Sequence, residues 1–188
     1  MKTKDLAYVA LFAAITAVLG LMPAIPVPAV PVPITAQTLG VMLAGAVLGA
    51  RRGFLAILLF LVLVAVGLPL LAGGRGGLAV FAGPSAGFLV AWPLGAFVTG
   101  LLTEALWRRF NLAWALVATL VGGIVVIYAI GIPFISVFSD TSLATAFTGS
   151  LVFVPGDVVK AVVAALVAVA VRRAYPVIER PSRVPVAP

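Results

Sequence analysis

Asp157 and Lys160 stand three residues apart inside the apolar stretch LVFVPGDVVKAVVAALVAVAVRR, Leu151 to Arg173. Residues at that spacing share a helix face, so a carboxylate and an ammonium project the same way. A charge near the centre of a bilayer costs roughly 2.5–3.5 kcal/mol on insertion scales. Charges kept at that cost face a protein interior or a wet cavity and usually have a function there. Side by side, an acceptor and a donor can recognise a small molecule that carries both N–H and C=O groups. The competing reading is a mutual ion pair that locks two helices, because buried polar pairs can serve packing specificity. Arg75 is the third charge of interest. It lies in the glycine-rich window AGGRGGLAVFAGPSAGFL, Ala72 to Leu89, and its guanidinium is a fixed fork suited to a carboxylate. Glycines there let the backbone bend sharply and approach a ligand closely. Irregular backbone at membrane depth must be buried in protein or line a cavity. Phe81, Phe88 and Trp92 can supply an apolar wall.

These residues belong to a chain built for lipid. Of its 188 residues 64% are hydrophobic and 9% charged, against about 25% charged in soluble domains, and the mean hydropathy is +1.30. The apolar runs are continuous rather than alternating, which predicts an all-α integral membrane protein and argues against an outer-membrane barrel. One compact bundle over residues 1–188 is expected, with no room for a soluble catalytic domain. The chain has no Cys and no His, so disulfides, thiol chemistry, the common zinc sites and His-based acid–base catalysis are excluded. No metal site and no cofactor are expected. The net charge of +7 comes from residues placed for membrane orientation rather than for nucleic acid.

Six spans are predicted, at about 6–22, 34–50, 53–71, 88–106, 112–132 and 151–171. In the first, Ala7, Ala10, Ala14 and Ala17 share a face with Ala13 beside them, and small residues at that spacing let helices approach closely in lipid. That stripe reads either as packing within the bundle or as a docking face for another membrane protein. Pro23–Pro33, PAIPVPAVPVP, cannot be helical and predicts a stiff apolar loop, lying at the interface or folded over the bundle as a lid. Thr35 or Thr38 is the expected cap of the second helix, with Gln37 just inside its outer end and Arg51–Arg52 closing it. Glu104 is expected to pair with Arg108 four residues on. Pro133 is expected to stop the fifth span, leaving a Ser/Thr-rich loop to Ser150. Pro155 either opens the sixth helix or kinks it; in the first case Asp157 falls in the first turn, where the helix dipole stabilises an anion. Residues 174–188 read as a cytoplasmic tail, disordered over Pro181–Pro188.

Ten of the twelve Lys and Arg residues, all but Arg75 and Lys160, fall on one side of this arrangement. The positive-inside rule then puts both termini in the cytoplasm. The proline loop, the glycine loop and the charged half of the last helix share the outer face.

Three segments, PVPITAQTLGVMLAGAVLGARRG (Pro31–Gly53), GPSAGFL (Gly83–Leu89) and PGDVVK (Pro155–Lys160), together and in that order over the whole chain, resemble BioY. BioY is the substrate-binding S component of the biotin energy-coupling-factor (ECF) transporters. The resemblance implies a six-helix S-component bundle in the bacterial cytoplasmic membrane and high-affinity uptake of biotin. It makes Asp157 and Lys160 part of the binding site. Asp157 would accept from a ureido N–H, and Lys160 would donate to the ureido carbonyl or orient Asp157. Arg75, with backbone N–H groups of the glycine loop around Gly83 and Ser85, would take the valerate carboxylate. Gln37 and Thr35 are further candidates at the mouth of the second helix. Family members often carry GPTGGY where this chain has GPSAGF, so Phe88 lacks a hydroxyl that a Tyr would offer. The stripe of Ala10 and Ala14, with Ala13 and Ala17, resembles the motif by which S components dock on the transmembrane coupling (T) subunit. There is no GxxxxGK[ST] P-loop, so ATP hydrolysis is expected on separate ABC-type ATPase subunits and the chain is not expected to be an enzyme. The rival readings are an S component for another vitamin, a proton-coupled carrier of a small carboxylated substrate with Asp157 titrating, an assembly subunit without a ligand, and a membrane enzyme, for which five acidic residues without His or Cys leave little catalytic equipment.

Overall fold

A computed structural model of the chain describes residues 2–28 and 30–178, and its regular structure there is helical. The helices are α1 (Thr3–Leu19), α2 (Gln37–Leu48), α3 (Ala50–Ala65), α4 (Ala86–Ala105), α5 (Leu112–Leu120), α6 (Ile127–Phe138), α7 (Leu143–Ser150) and α8 (Val154–Ala174). A π-helical turn, Val121–Val126, joins α5 to α6, and a 3-10 turn, Leu151–Phe153, joins α7 to α8. Among the described residues, three helices are long and apolar enough to cross a membrane: Ala86–Ala105, Leu112–Phe138 and Leu143–Ala174.

α2 is the hub. It packs against α1, α3, α4 and α8, and most of its side chains are buried, from Gln37 to Leu48. Small residues permit this. A Cβ on Gly53 of α3 would stand 2.8 Å from the Ala44 carbonyl oxygen and 2.9 Å from the Gly45 Cα of α2. No side chain fits in that gap, so the two backbones meet directly.

Several boundaries differ from the sequence-based expectation. Thr35 and Thr38 do not cap α2; its N-cap is Ala36, without a side-chain bond. The corner between the second and third spans is the single residue Gly49, at φ 85°, a left-handed conformation that suits glycine. Arg51 and Arg52 therefore begin α3 rather than closing α2. Glu104 does not need Arg108: its Oε1 accepts from the Ala50 N–H at 2.8 Å, so α4 supplies the first turn of α3 with an acceptor. Pro133 does not stop the fifth span. It lies inside α6 on an exposed face, where one lost backbone bond is tolerated because adjacent packing and local backbone adjustment absorb it. Much of the predicted Ser/Thr loop is α7, opened by Ser142, whose hydroxyl accepts from the Thr145 N–H at 3.1 Å.

The proline segment folds over the bundle. Ile25 and Ile34 exchange backbone bonds of 3.0 and 2.9 Å, and Val30 and Val32 enter the core. At the opposite end, Arg52 ties Asp5 (3.2 Å) and the Val177 carbonyl (3.0 Å) to α3. Ile178 is buried, so the chain just after α8 packs back on the bundle. Arg180, Arg183 and the Pro181–Pro188 segment lie outside the described residues.

Candidate binding site

Pro155 stands at the start of α8, where its missing N–H costs nothing and its fixed φ suits the helix. Asp157 consequently occupies the first turn, near the positive end of the helix dipole. It is 4% exposed. Its Oδ1 accepts from Lys160 Nζ at 2.8 Å and from Thr38 Oγ1 at 3.0 Å, and its Oδ2 accepts from Tyr128 Oη at 2.7 Å. Lys160 Nζ also donates to the Thr35 carbonyl at 2.6 Å and to Thr38 Oγ1 at 3.0 Å. One knot thus joins α8 to α2, to the strap before α2 and to α6.

The knot is a lock, and it also borders a void. A cleft of about 410 Å³, counted out to its open mouth, lies between these groups and an aromatic wall. Phe88 holds the wall together, meeting Tyr128 and Phe153 edge-on at centroid distances of 6.1 and 6.2 Å. Trp92 leans on Phe60 at 6.2 Å. Val32 and Pro33 close the cleft from the proline segment.

The hydrogen-bond inventory limits what each charge can do. An ammonium has three protons, and Lys160 uses all three within the protein. A carboxylate offers about four acceptor sites, and three of those on Asp157 are taken. The arrangement therefore leaves acceptor capacity on Asp157 for an incoming N–H, while Lys160 holds the carboxylate in its orientation.

Of the residues picked from the sequence, Asp157, Lys160, Thr35, Phe88 and Trp92 line this cleft. Arg75, Gln37 and Ser85 line a second, small cavity, which adjoins the first and shares Thr35, Phe88 and Trp92 with it. Gly83 lines neither; its carbonyl accepts from the Ala86 N–H at 3.0 Å and so shapes the start of α4. Gln37 has both amide protons engaged within the protein. Its Nε2 donates to the Thr16 and Leu70 carbonyls at 3.2 and 3.1 Å, and its Oε1 accepts from the Ala72 N–H at 3.0 Å. That buried amide fastens α1 and the glycine loop to α2. Ala10 and Ala14 are exposed on α1, Ala17 is half-buried, and Ala13 faces the core. Only part of the alanine stripe is therefore available to a partner.

Tyr128 and the bridging role of Thr38 escaped the sequence reading. A tyrosine in an otherwise apolar run, IVVIYAIGIP, is a usable signal, because a buried phenol needs a partner. Its direction was not legible: the π turn just before it shifts the phase of the helix that follows. Among the described residues, no group of three or more Cys, His, Asp or Glu is placed to hold a metal.

Residues 1–177 match the model of the BioY family. The biotin transporter BioY of Rhizobium etli is 55% identical over 183 residues, covering 95% of this chain and 98% of that one. The probable biotin transporter BioY of Bacillus subtilis is 46% identical over 174 residues, 93% of each chain. The fold is similar to that in a 2.1 Å crystal structure of the S-component for biotin from an ECF-type ABC transporter. The TM-score is 0.87 at 35% identity, over 92% of this chain and 95% of that one. With a family model spanning nearly its whole length, relatives at this identity and a shared helical architecture, the chain belongs to the BioY family.

Proposed function

We propose that the protein binds biotin from outside the cell and delivers it across the bacterial cytoplasmic membrane as the S component of an ECF-type transporter. The observation that carries this is the buried Asp157–Lys160 pair, bonded at 2.8 Å, opening on a cleft walled by Phe88 and Trp92. A ureido ring presents N–H donors and a flat apolar body, and the cleft presents a charged acceptor and aromatic faces. The relatives named as biotin transporters support the same ligand. The cleft's hydrogen bonding favours Asp157 as the group that meets a ureido N–H, with Lys160 orienting it. Arg75, whose Nε donates to the Ala72 carbonyl at 3.2 Å, keeps its remaining guanidinium protons for a carboxylate.

Six crossings with both termini in the cytoplasm account for the charge distribution. α2 has only 12 residues, about 18 Å at 1.5 Å per residue. Its crossing is completed by the extended segment before it, which packs on the bundle through Val30 and Val32 and lines the cleft, the circumstance in which irregular backbone is tolerated at membrane depth. The exposed Ala10 and Ala14 offer a close-approach face for a T subunit. ATP hydrolysis belongs to paired ABC-type ATPase subunits.

Equilibrium binding of labelled biotin to the detergent-purified protein tests this reading. Saturable binding that survives gel filtration is expected, and uptake in cells should require the coupling subunits. Failure to retain biotin would overturn it.

A further inference from the structure

Tyr128 lines two cavities. One is the cleft with Asp157 and Lys160. The other is a groove of about 1230 Å³, counted out to its open mouth, on the lipid-facing side of the bundle. It runs between α6, which contributes Tyr128, Ile132 and Pro133, and α7, which contributes Leu143, Ala144 and Phe147. The turn joining these helices fixes their spread. Ser136 Oγ donates to the Thr141 carbonyl at 2.7 Å, and the Thr141 N–H donates to the Ser136 carbonyl at 3.0 Å. No residue lining the groove is charged. Tyr128 alone among them has a polar side-chain atom, and its hydroxyl is already given to Asp157 at 2.7 Å. Leu143, Phe147 and Leu151 at the groove are exposed, so it opens on the apolar belt that the helices present to lipid.

Hydrocarbon has to fill such a groove. Water gains nothing from walls without free donors or acceptors, and an empty groove forfeits the dispersion contacts of its lining. Two occupants are available in a bilayer, an acyl chain and a helix of a partner. Helices associate in lipid through small residues that bring backbones together and through polar side chains that bond across. Here the large side chains of Leu143, Phe147 and Leu151 hold a partner's backbone off, and no hydroxyl, amide or charge is free to bond across. A slender, flexible chain meets neither obstacle. We propose that the groove binds one acyl chain of a bilayer phospholipid, and that the seated chain braces the Tyr128 ring and so holds its hydroxyl on Asp157. Phe88 already meets that ring edge-on at 6.1 Å, and the chain supports it from the groove. The lipid site stands on the groove alone; its effect on the cleft rests on biotin being the ligand there.

The test uses the full chain, delipidated in a steroid-based detergent that has no alkyl chain to fill the groove in advance. Wild type is compared with Ala144→Trp, whose indole occupies the groove; Ala129→Phe, on the opposite wall, repeats the comparison if the first variant fails to fold. The probes are palmitoyl-oleoyl phosphatidylglycerol and dihexanoyl phosphatidylglycerol, which share a headgroup and differ in chain length. Native mass spectrometry should count one more long-chain lipid on wild type than on either variant, and equal numbers of the short-chain lipid. Titration calorimetry should show the long-chain lipid raising the biotin affinity of wild type about fivefold, the scale of one hydrogen bond. The short-chain lipid should not raise it, and the variants should not respond to either. Equal lipid counts on wild type and variants would overturn the site, as would a short-chain lipid that acts as well as the long one, since that is headgroup recognition. Loss of cellular uptake in Ala144→Trp with its lipid count unchanged would overturn it in favour of a partner helix. Retained lipid without any change in biotin affinity would refute the bracing of Tyr128. Absence of biotin binding under every condition would refute the biotin reading and leave the lipid count standing.

Discussion

Replacing Asp157 by Asn separates the two jobs of the buried pair. The carboxylate accepts from Lys160, Thr38 and Tyr128 at 2.8, 3.0 and 2.7 Å. The amide keeps the shape and loses the charge. Lys160 still reaches the Thr35 carbonyl and Thr38 Oγ1, but it is left without a counter-ion. Breaking one side of a buried pair costs about 3–5 kcal/mol. With the Lys160 side chain 15% exposed, the lower end of that range is expected as a loss of stability. A ureido N–H that met a charged acceptor would lose about 1.5–3 kcal/mol, a fall in affinity of roughly 10- to 150-fold. Thermal unfolding and calorimetric titration with biotin read the two effects separately. The double variant Asp157→Asn, Lys160→Met sharpens the contrast: removing both charges should recover much of the stability and none of the binding. Unchanged biotin affinity in Asp157→Asn, alongside reduced stability, would reduce the pair to a structural lock and refute its role in recognition.

Tyr128→Phe removes one donor to Asp157 and keeps the ring against Phe88; biotin affinity should fall by about 1 kcal/mol in the same titration, with the unfolding midpoint little changed. Gln37→Leu should leave the Thr16 and Leu70 carbonyls and the Ala72 N–H without partners, lowering stability by about 2–4 kcal/mol in thermal unfolding. A variant as stable as wild type would deny that amide its role in fastening α1 and the glycine loop. Ala14→Trp, on the exposed face of α1, should leave biotin binding of the purified protein intact and abolish uptake in cells that supply the coupling subunits. Full uptake would remove the docking role from that face.

What could be read without coordinates followed from local rules. Hydropathy marked the chain as a helical membrane protein because lipid demands internally satisfied backbone. Asp157 and Lys160 were legible because charges in such a run are too costly to be incidental. Their shared face needed only the helix period. Phe88 and Trp92 were legible as apolar wall through their proximity to the glycine loop, and both line the cleft. Helix ends were less legible. Pro133 reads as a stop because proline breaks isolated helices, but packing against α4 and α7 carries α6 past it. Glu104 suggested a pair along its own helix, and its actual partner is a backbone N–H 54 residues away.

The amino-acid sequence alone determined the environment, the helical class and which rare polar residues matter, since each of these depends on composition or on spacing within one segment. The tertiary structure decided how those residues are used. Gln37 became a fastener, Thr38 a bridge and Tyr128 a ligand of the carboxylate, and Ser85 and Trp92 were left as donors without acceptors. The first three depend on partners 21 to 122 residues apart in the chain, and no periodicity within a single helix encodes which atoms will meet across several of them.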